Sequence, residues 1–171
     1  MKDPAKALVS LEEAVSWRES LRKSGRTLAV TNGCFDLLHR GHAGYLFDAS
    51  QYADELLVLL NSDASVSALK GDTRPLTGEL DRAYLLGALG FVSKVVIFDS
   101  SRCDKELAAL KPDVYTKAGD YTLEKLDKSE RAALENSGTK IVFMPFVPGY
   151  STTGTIEKIQ NALLKEMQSQ P

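Results

Sequence analysis

Short runs of consecutive apolar residues alternate along this chain with longer stretches in which apolar residues recur at every third or fourth position. The short runs, at 27–31, 55–61, 94–98, 113–117 and 140–145, are strand-sized, and their near-continuous apolar character is that of strands covered on both faces. Helical spacing between them predicts helices over about 42–52, 81–89, 104–110 and 126–136, with Gly and Asn at several joins. Ser10 followed by Glu13 fits a capping box, and Leu11, Ala14, Val15, Trp17 and Leu21 mark an opening helix that stops at Gly25. A last helix from Thr152 carries Ile156, Ile159, Leu163 and Met167. The stretch 62–80 is polar and poorly periodic apart from a helical turn at 64–69, and loops of that length tend to be functional. This alternation predicts one α/β domain: a Rossmann-like, doubly wound, five-stranded parallel sheet with helices on both faces. Residues 1–26 are expected to form a helix packed on it, and 27–171 the domain proper. In such sheets ligands bind beyond the carboxyl ends of the strands, where the strand order reverses.

Composition narrows the function classes. A hydrophobic fraction of 43% and a charged fraction of 26% are ordinary for a globular chain, and no apolar run approaches the roughly 20 residues of a membrane helix. The residues after Met1 lack the apolar block of a secretion signal, so the expected location is the cytoplasm. A net charge of −2, with 21 basic residues dispersed among 23 acidic ones, leaves no footprint for nucleic acid. Cys34 and Cys103 are far apart, which supports neither a disulfide framework nor a zinc site.

Chemistry concentrates just after the first strand. Both histidines of the chain lie in Cys34-Phe35-Asp36-Leu37-Leu38-His39-Arg40-Gly41-His42, spaced as H-x-G-H at the start of a helix. Three readings of that spacing are open: a polar loop capping the helix, a zinc site lacking further ligands, or a phosphate site in which helix-start amides and two imidazoles meet a polyanion. The phosphate reading gains from a second loop at the far end, Pro148-Gly149-Tyr150-Ser151-Thr152-Thr153, whose hydroxyls exceed what a single helix cap uses. Lys70, Arg74 and Arg82 taken singly read as solvated charges, but Lys70 beside Gly71 in a loop can swing over a phosphate. Lys117-Ala118-Gly119-Asp120-Tyr121 follows the fourth strand, where Asp120 can accept from a base amino group or a sugar hydroxyl, or merely close a strand-exit turn.

The first and last of these segments resemble the two motifs of the H-x-G-H nucleotidyltransferases, which include glycerol-3-phosphate cytidylyltransferase and phosphopantetheine adenylyltransferase. Asn61-Ser62-Asp63-Ala64-Ser65-Val66, Leu69-Lys70-Gly71-Asp72-Thr73-Arg74-Pro75 and Lys117-Ala118-Gly119-Asp120-Tyr121 are similar to the heptose-1-phosphate adenylyltransferase branch of that family, and the likeness covers about residues 27–160. The resemblance implies that a heptose 1-phosphate attacks the α-phosphate of ATP, giving ADP-heptose and pyrophosphate. It implies catalytic roles for His39, His42 and Lys70, and nucleotide contacts from Cys34, Phe35, Tyr150, Ser151, Thr152 and Thr153. Substrate contacts would come from Asp36, Asn61, Asp63, Arg74, Lys117 and Asp120, with Asp36 bracing its loop rather than acting as a base. Mg2+ is expected on the nucleotide phosphates rather than on protein ligands. A homodimer is the expected assembly, and a separate sugar kinase, fused ahead of the domain in many relatives, is expected upstream. Ala118 stands where the branch has a glycine, and Phe146-Val147-Pro148 lacks the arginine that cytidylyltransferases carry there. The alternatives are a cytidylyltransferase using CTP and glycerol 3-phosphate, and a nucleotide-binding module without turnover.

Overall fold

A computed structural model describes residues 3–119, 121–145 and 148–169. Five strands, β1 (Leu28–Gly33), β2 (Glu55–Asn61), β3 (Lys94–Phe98), β4 (Val114–Ala118) and β5 (Lys140–Met144), form one sheet in the order β3-β2-β1-β4-β5. Every pairing is parallel. The chain winds outward one way through β1, β2 and β3, then crosses back to β4 and β5, so the seam between β1 and β4 is the switch point.

The described residues form seven α-helices: α1 (Leu11–Lys23), α2 (Arg40–Ser50), α3 (Asp63–Lys70), α4 (Glu79–Ala88), α5 (Asp104–Leu110), α6 (Lys128–Asn136) and α7 (Thr152–Ser169). Side chains alternate across the pleat, which sorts the core into two layers. Leu56, Val58 and Leu60 of β2 pack with Leu46 and Ala49 of α2 and Ala83 and Leu86 of α4. Leu57 and Leu59 face the other way, toward Ala14 and Leu21 of α1, Leu107 and Leu110 of α5 and Leu134 of α6. A strand buried on both faces is apolar throughout, which is why these strands were readable from the chain alone. No described helix is long and apolar enough to cross a membrane.

The structure departs from expectation at several points. The stretch 62–80 holds a full helix, α3, capped by the Ser62 hydroxyl, which accepts from the Ser65 N–H. Its short buried face, Ser65 and Val66, hides the periodicity. Helix α1 carries the expected capping box, with Ser10 and Glu13 bonding each other's backbone, but its buried face also includes a cation. Arg18, 2% exposed, ion-pairs with Asp113 at 2.9 Å, and Asp113 also accepts from the Leu28 N–H, binding the helix to the amino ends of β4 and β1. Arg82 is fully buried rather than solvated. The apolar positions of α7 are open instead of packed: Ile159, Leu163 and Met167 are all more than half exposed.

Candidate active site

A cleft of about 600 Å3 opens over the carboxyl ends of β1, β2 and β4, at the switch point. That volume lies within the range of sites for drug-sized ligands. Its rim is built from the turn after β1. Gly33 ends the strand, and a Cβ there would come within 2.8 Å of the Phe35 ring, so the chain folds back over a bare α-carbon. Phe35 itself adopts a left-handed conformation, φ 45°, one that non-glycine residues hold only where the surroundings enforce it. The Asp36 carboxylate supplies part of that enforcement. It is 2% exposed and accepts from the backbone N–H groups of Leu76 (2.8 Å) and Thr77 (2.9 Å) while ion-pairing with Arg74. Burial alone would raise the Asp36 carboxyl, but these donors hold it below the ordinary carboxylate range.

Arg82 supplies the rest. From α4 its guanidinium reaches the carbonyl oxygens of Cys34 (2.6 Å), Asn61 (2.8 Å) and Thr77 (2.9 Å) and the carboxylate of Asp63 (2.7 Å). It thereby ties the exits of β1 and β2 to the loop entering α4. Taken singly this residue reads as a solvated charge, but Arg82, Ala83, Leu86 and Gly87 form the buried stripe of α4, and a cation on such a stripe is the available signal against that reading.

The two imidazoles are stacked, ring centroids 3.8 Å apart and 11° from parallel. His39 caps α2, its Nδ1 accepting from the His42 N–H at 3.3 Å, which places the neutral ring's proton on Nε2. His42 lines the cleft, packs edge-on against Phe35, and keeps a buried Nδ1 with no partner among the described residues. Burial, then the neighbouring His39 ring, with Lys70 adding to them, lower the His42 pKa to about 4 against a countering Leu37 carbonyl. Burial also lowers His39. Both rings are therefore neutral at pH 7, and each has a nitrogen suited to an arriving oxyanion.

The distant serine-threonine loop closes on this pair. Tyr150 stacks against His39 with centroids 6.1 Å apart, and its hydroxyl accepts from Arg40 at 3.2 Å. Gly41 sits between: a Cβ there would be 2.8 Å from the Tyr150 Cβ and 3.0 Å from the His39 ring. Thr152, at the start of α7, lines the same cleft as His42. The Ser151 hydroxyl accepts from the Gly154 N–H at 2.9 Å and so acts as a helix cap, and Thr153 is exposed beside it. Beneath the site the Tyr45 hydroxyl bridges Thr31 (2.6 Å) and Thr116 (3.0 Å), pinning α2 to the β1–β4 seam.

Of the other residues singled out, Cys34, Phe35, Asn61, Lys70 and Lys117 also line the cleft. Lys70 is exposed at the end of α3, and the Asn61 amide donates to Ser65 at 2.8 Å. Asp63 is drawn away, facing a separate shallow groove with Glu79 and Asp81, and Arg74 is engaged by Asp36. Asp120 lies outside the described residues. No three metal-ligating side chains converge among the described residues.

Helix starts that meet across the switch point of a parallel sheet, with imidazoles and a lysine between them, belong to nucleotidyl-transferring α/β domains. More narrowly, the chain is a member of the cytidylyltransferase-like family, whose model matches residues 30–158. It is 49% identical over 142 residues to the bifunctional protein HldE of Geotalea uraniireducens (strain Rf4), covering 83% of this chain and 29% of that one. It is 46% identical over 142 residues to the bifunctional protein HldE of Helicobacter pylori (strain G27), with the same coverage, 83% and 29%. The chain thus spans under a third of the length of these curated relatives. Among solved structures, the lipopolysaccharide core biosynthesis protein of Thermoplasma volcanium GSS1 is similar at 26% identity and a TM-score of 0.57, covering 72% of this chain and 98% of that one. The pantoate-beta-alanine ligase of Francisella tularensis, crystallised with beta-gamma ATP and beta-alanine, shares the fold at 14% identity and a TM-score of 0.53, covering 81% and 66%.

Proposed function

We propose that this domain, residues 27–171, transfers the adenylyl group of ATP to a heptose 1-phosphate, releasing pyrophosphate and ADP-heptose. The observation that carries the reading is the contact between the two ends of the chain: the stacked His39–His42 pair and the Tyr150–Thr152 loop, with Lys70 on the same cleft. The heptose assignment is supported by the similarity of the segments at 61–75 and 117–121 to the heptose-1-phosphate adenylyltransferase branch.

An oxygen of the sugar phosphate attacks the α-phosphorus in line. A new P–O bond forms there, and the bond from the α-phosphorus to its bridging oxygen toward the β-phosphate breaks, the electron pair leaving with pyrophosphate. The attacking group is already an anion at neutral pH, so no base is required, and catalysis consists of aligning two mutually repelling anions and stabilising the charge that develops between them. His39 Nε2–H donates to phosphate oxygens, and His42 meets the α-phosphate, where its neutral ring gains proton affinity as the anion arrives. The start of α7 and the Thr152 hydroxyl face the outer phosphates, and Lys70 closes over them. ATP enters as its magnesium complex. Magnesium carried on the nucleotide would take its oxygens mainly from phosphates and water and would offset charge on the leaving group. A kinase supplies the sugar 1-phosphate, and the ATP requirement places the reaction in the cytoplasm.

The test is a matrix of the four nucleoside triphosphates against sugar and alcohol phosphates, read as pyrophosphate release. Release with ATP and heptose 1-phosphate is expected. Preference for CTP with glycerol 3-phosphate would replace this reading with a cytidylyltransferase, and nucleotide binding without release in any combination would leave a non-catalytic module.

A further inference from the structure

Besides His42, Lys70 and Thr152, the cleft is lined by a lobe of charged side chains: Arg102 of the β3–α5 loop and Lys125, Asp127 and Glu130 around the start of α6. None of these four belongs to the histidine motif or to the serine-threonine loop.

The lobe is built on a carboxylate that is itself almost wholly buried. Glu130, 4% exposed, accepts at Oε1 from the Cys103 N–H (3.2 Å) and thiol (3.3 Å), and its Oε2 lies 3.9 Å from Lys117 Nζ. Lys117 in turn donates to Asn32 Oδ1 at 2.8 Å and to the Tyr115 hydroxyl at 3.2 Å. The ammonium is therefore fixed at the seam, facing the cleft, with few of a surface lysine's rotamers left to lose on binding. Arg102 is held in a similar way. Its Nε donates to Asp127 Oδ2 at 2.8 Å, while Asp127 Oδ1 takes the hydroxyl (2.6 Å) and N–H (2.9 Å) of Ser129. Burial and Glu130 push the Cys103 thiol up, which leaves it a structural donor rather than a nucleophile.

Among the described residues this lobe holds the cations Arg102, Lys117 and Lys125, the carboxylates Asp127 and Glu130, and the ring of Tyr121. A purine would find little to stack on. A small anion carrying hydroxyls would find fixed cations with a carboxylate acceptor beside them.

The geometry points to this lobe as the seat of the attacking sugar phosphate, with Arg102 and Lys117 on its phosphate, Asp127 accepting from ring hydroxyls, and Glu130 acting as a positioning residue that aims Lys117. The assignment rests on the adenylyltransferase reading above. It places the acceptor across the seam from the imidazoles, so that Lys117 stands where the two anions approach and offsets their repulsion.

Calorimetric titration of heptose 1-phosphate into protein loaded with a non-hydrolysable ATP analogue tests it, in wild type, Arg102→Gln and Glu130→Gln. Arg102 is half exposed, so its substitution leaves the fold intact. Loss of its charge-assisted contact should weaken sugar-phosphate binding about ten- to hundredfold, with affinity for the ATP analogue unchanged within about twofold and partial recovery in Arg102→Lys. Glu130→Gln keeps an acceptor for Cys103 and should raise KM for the sugar phosphate without moving KM for ATP. Undiminished sugar-phosphate affinity in Arg102→Gln would overturn the assignment, as would a loss confined to the ATP analogue, which would make the lobe a base site. A wild type that binds the analogue but no heptose 1-phosphate would instead strike the heptose reading, and this assignment with it.

Discussion

Gly41→Ala tests whether the two ends of the chain are interlocked as tightly as the geometry says. Gly41 is the second residue of α2, where alanine is ordinarily favoured over glycine by about 1 kcal/mol. Against that gain stands the new Cβ, 2.8 Å from the Tyr150 Cβ and 3.0 Å from the His39 ring. Carbon atoms settle at about 3.5 Å or more, so the two segments must part by roughly 0.7 Å. Overpacking of this kind costs about 1–3 kcal/mol, which leaves a net destabilisation of about 0–2 kcal/mol in urea unfolding. The kinetic cost should be larger, because a displacement near 1 Å in a positioning loop costs up to about 10²-fold in rate. A fall in kcat/KM by one to two orders of magnitude, out of proportion to the stability change, is therefore expected. Tyr150→Gly removes the clashing Cβ. In a double-mutant cycle the pair should lose less than the sum of the singles. A Gly41→Ala enzyme within twofold of wild-type kcat/KM, or strict additivity in the cycle, would refute the interlock.

His42→Ala should lower turnover by about 10²- to 10³-fold with the fold intact by circular dichroism, and wild-type turnover would contradict its role at the α-phosphate. Because the folded His42 pKa is about 4, below the ordinary value of about 6.5, the unfolded chain binds more protons between those values. Stability is thus fully present above about pH 6.5 and declines as pH falls toward 4, by about 2 kcal/mol after allowance for the ring's partial exposure. His42→Gln should flatten that part of the Tm-against-pH curve, and an unchanged slope counts against the assignment. Lys70→Ala should reduce kcat as well as raise KM for ATP, since a clamp completes the site only when closed, and a rise in KM alone would show mere ground-state binding. Arg82→Met should destabilise by about 3–5 kcal/mol by stranding the carbonyls it serves, and a chemical unfolding midpoint like that of wild type would refute its role as a brace.

The strands and the parallel alternation were legible because strands covered on both faces leave unbroken apolar runs. The histidine and serine-threonine segments were legible because helix starts that hold phosphates need small, hydroxylic and imidazole residues at short spacings. Buried charges were not. Arg18, Arg82 and Glu130 each occupy a position on the apolar stripe of a helix, where a periodicity reading expects an aliphatic residue, and their partners lie far away in the chain: Asp113 for Arg18, Cys34 and Asn61 for Arg82, Lys117 for Glu130. Helix α7 shows the converse. Spacing predicted the helix and its apolar residues, but spacing carries no information about whether another surface meets them, and Ile159, Leu163 and Met167 are open.

Arg82 grips main-chain oxygens at Cys34 and Asn61, not the side chains there. A support of that kind is blind to what residue 34 is. Cysteine at the lip of the cleft can drift to serine or alanine over generations without slackening the turn that carries the imidazoles, whereas position 82, fully buried behind that turn, has almost no room to vary.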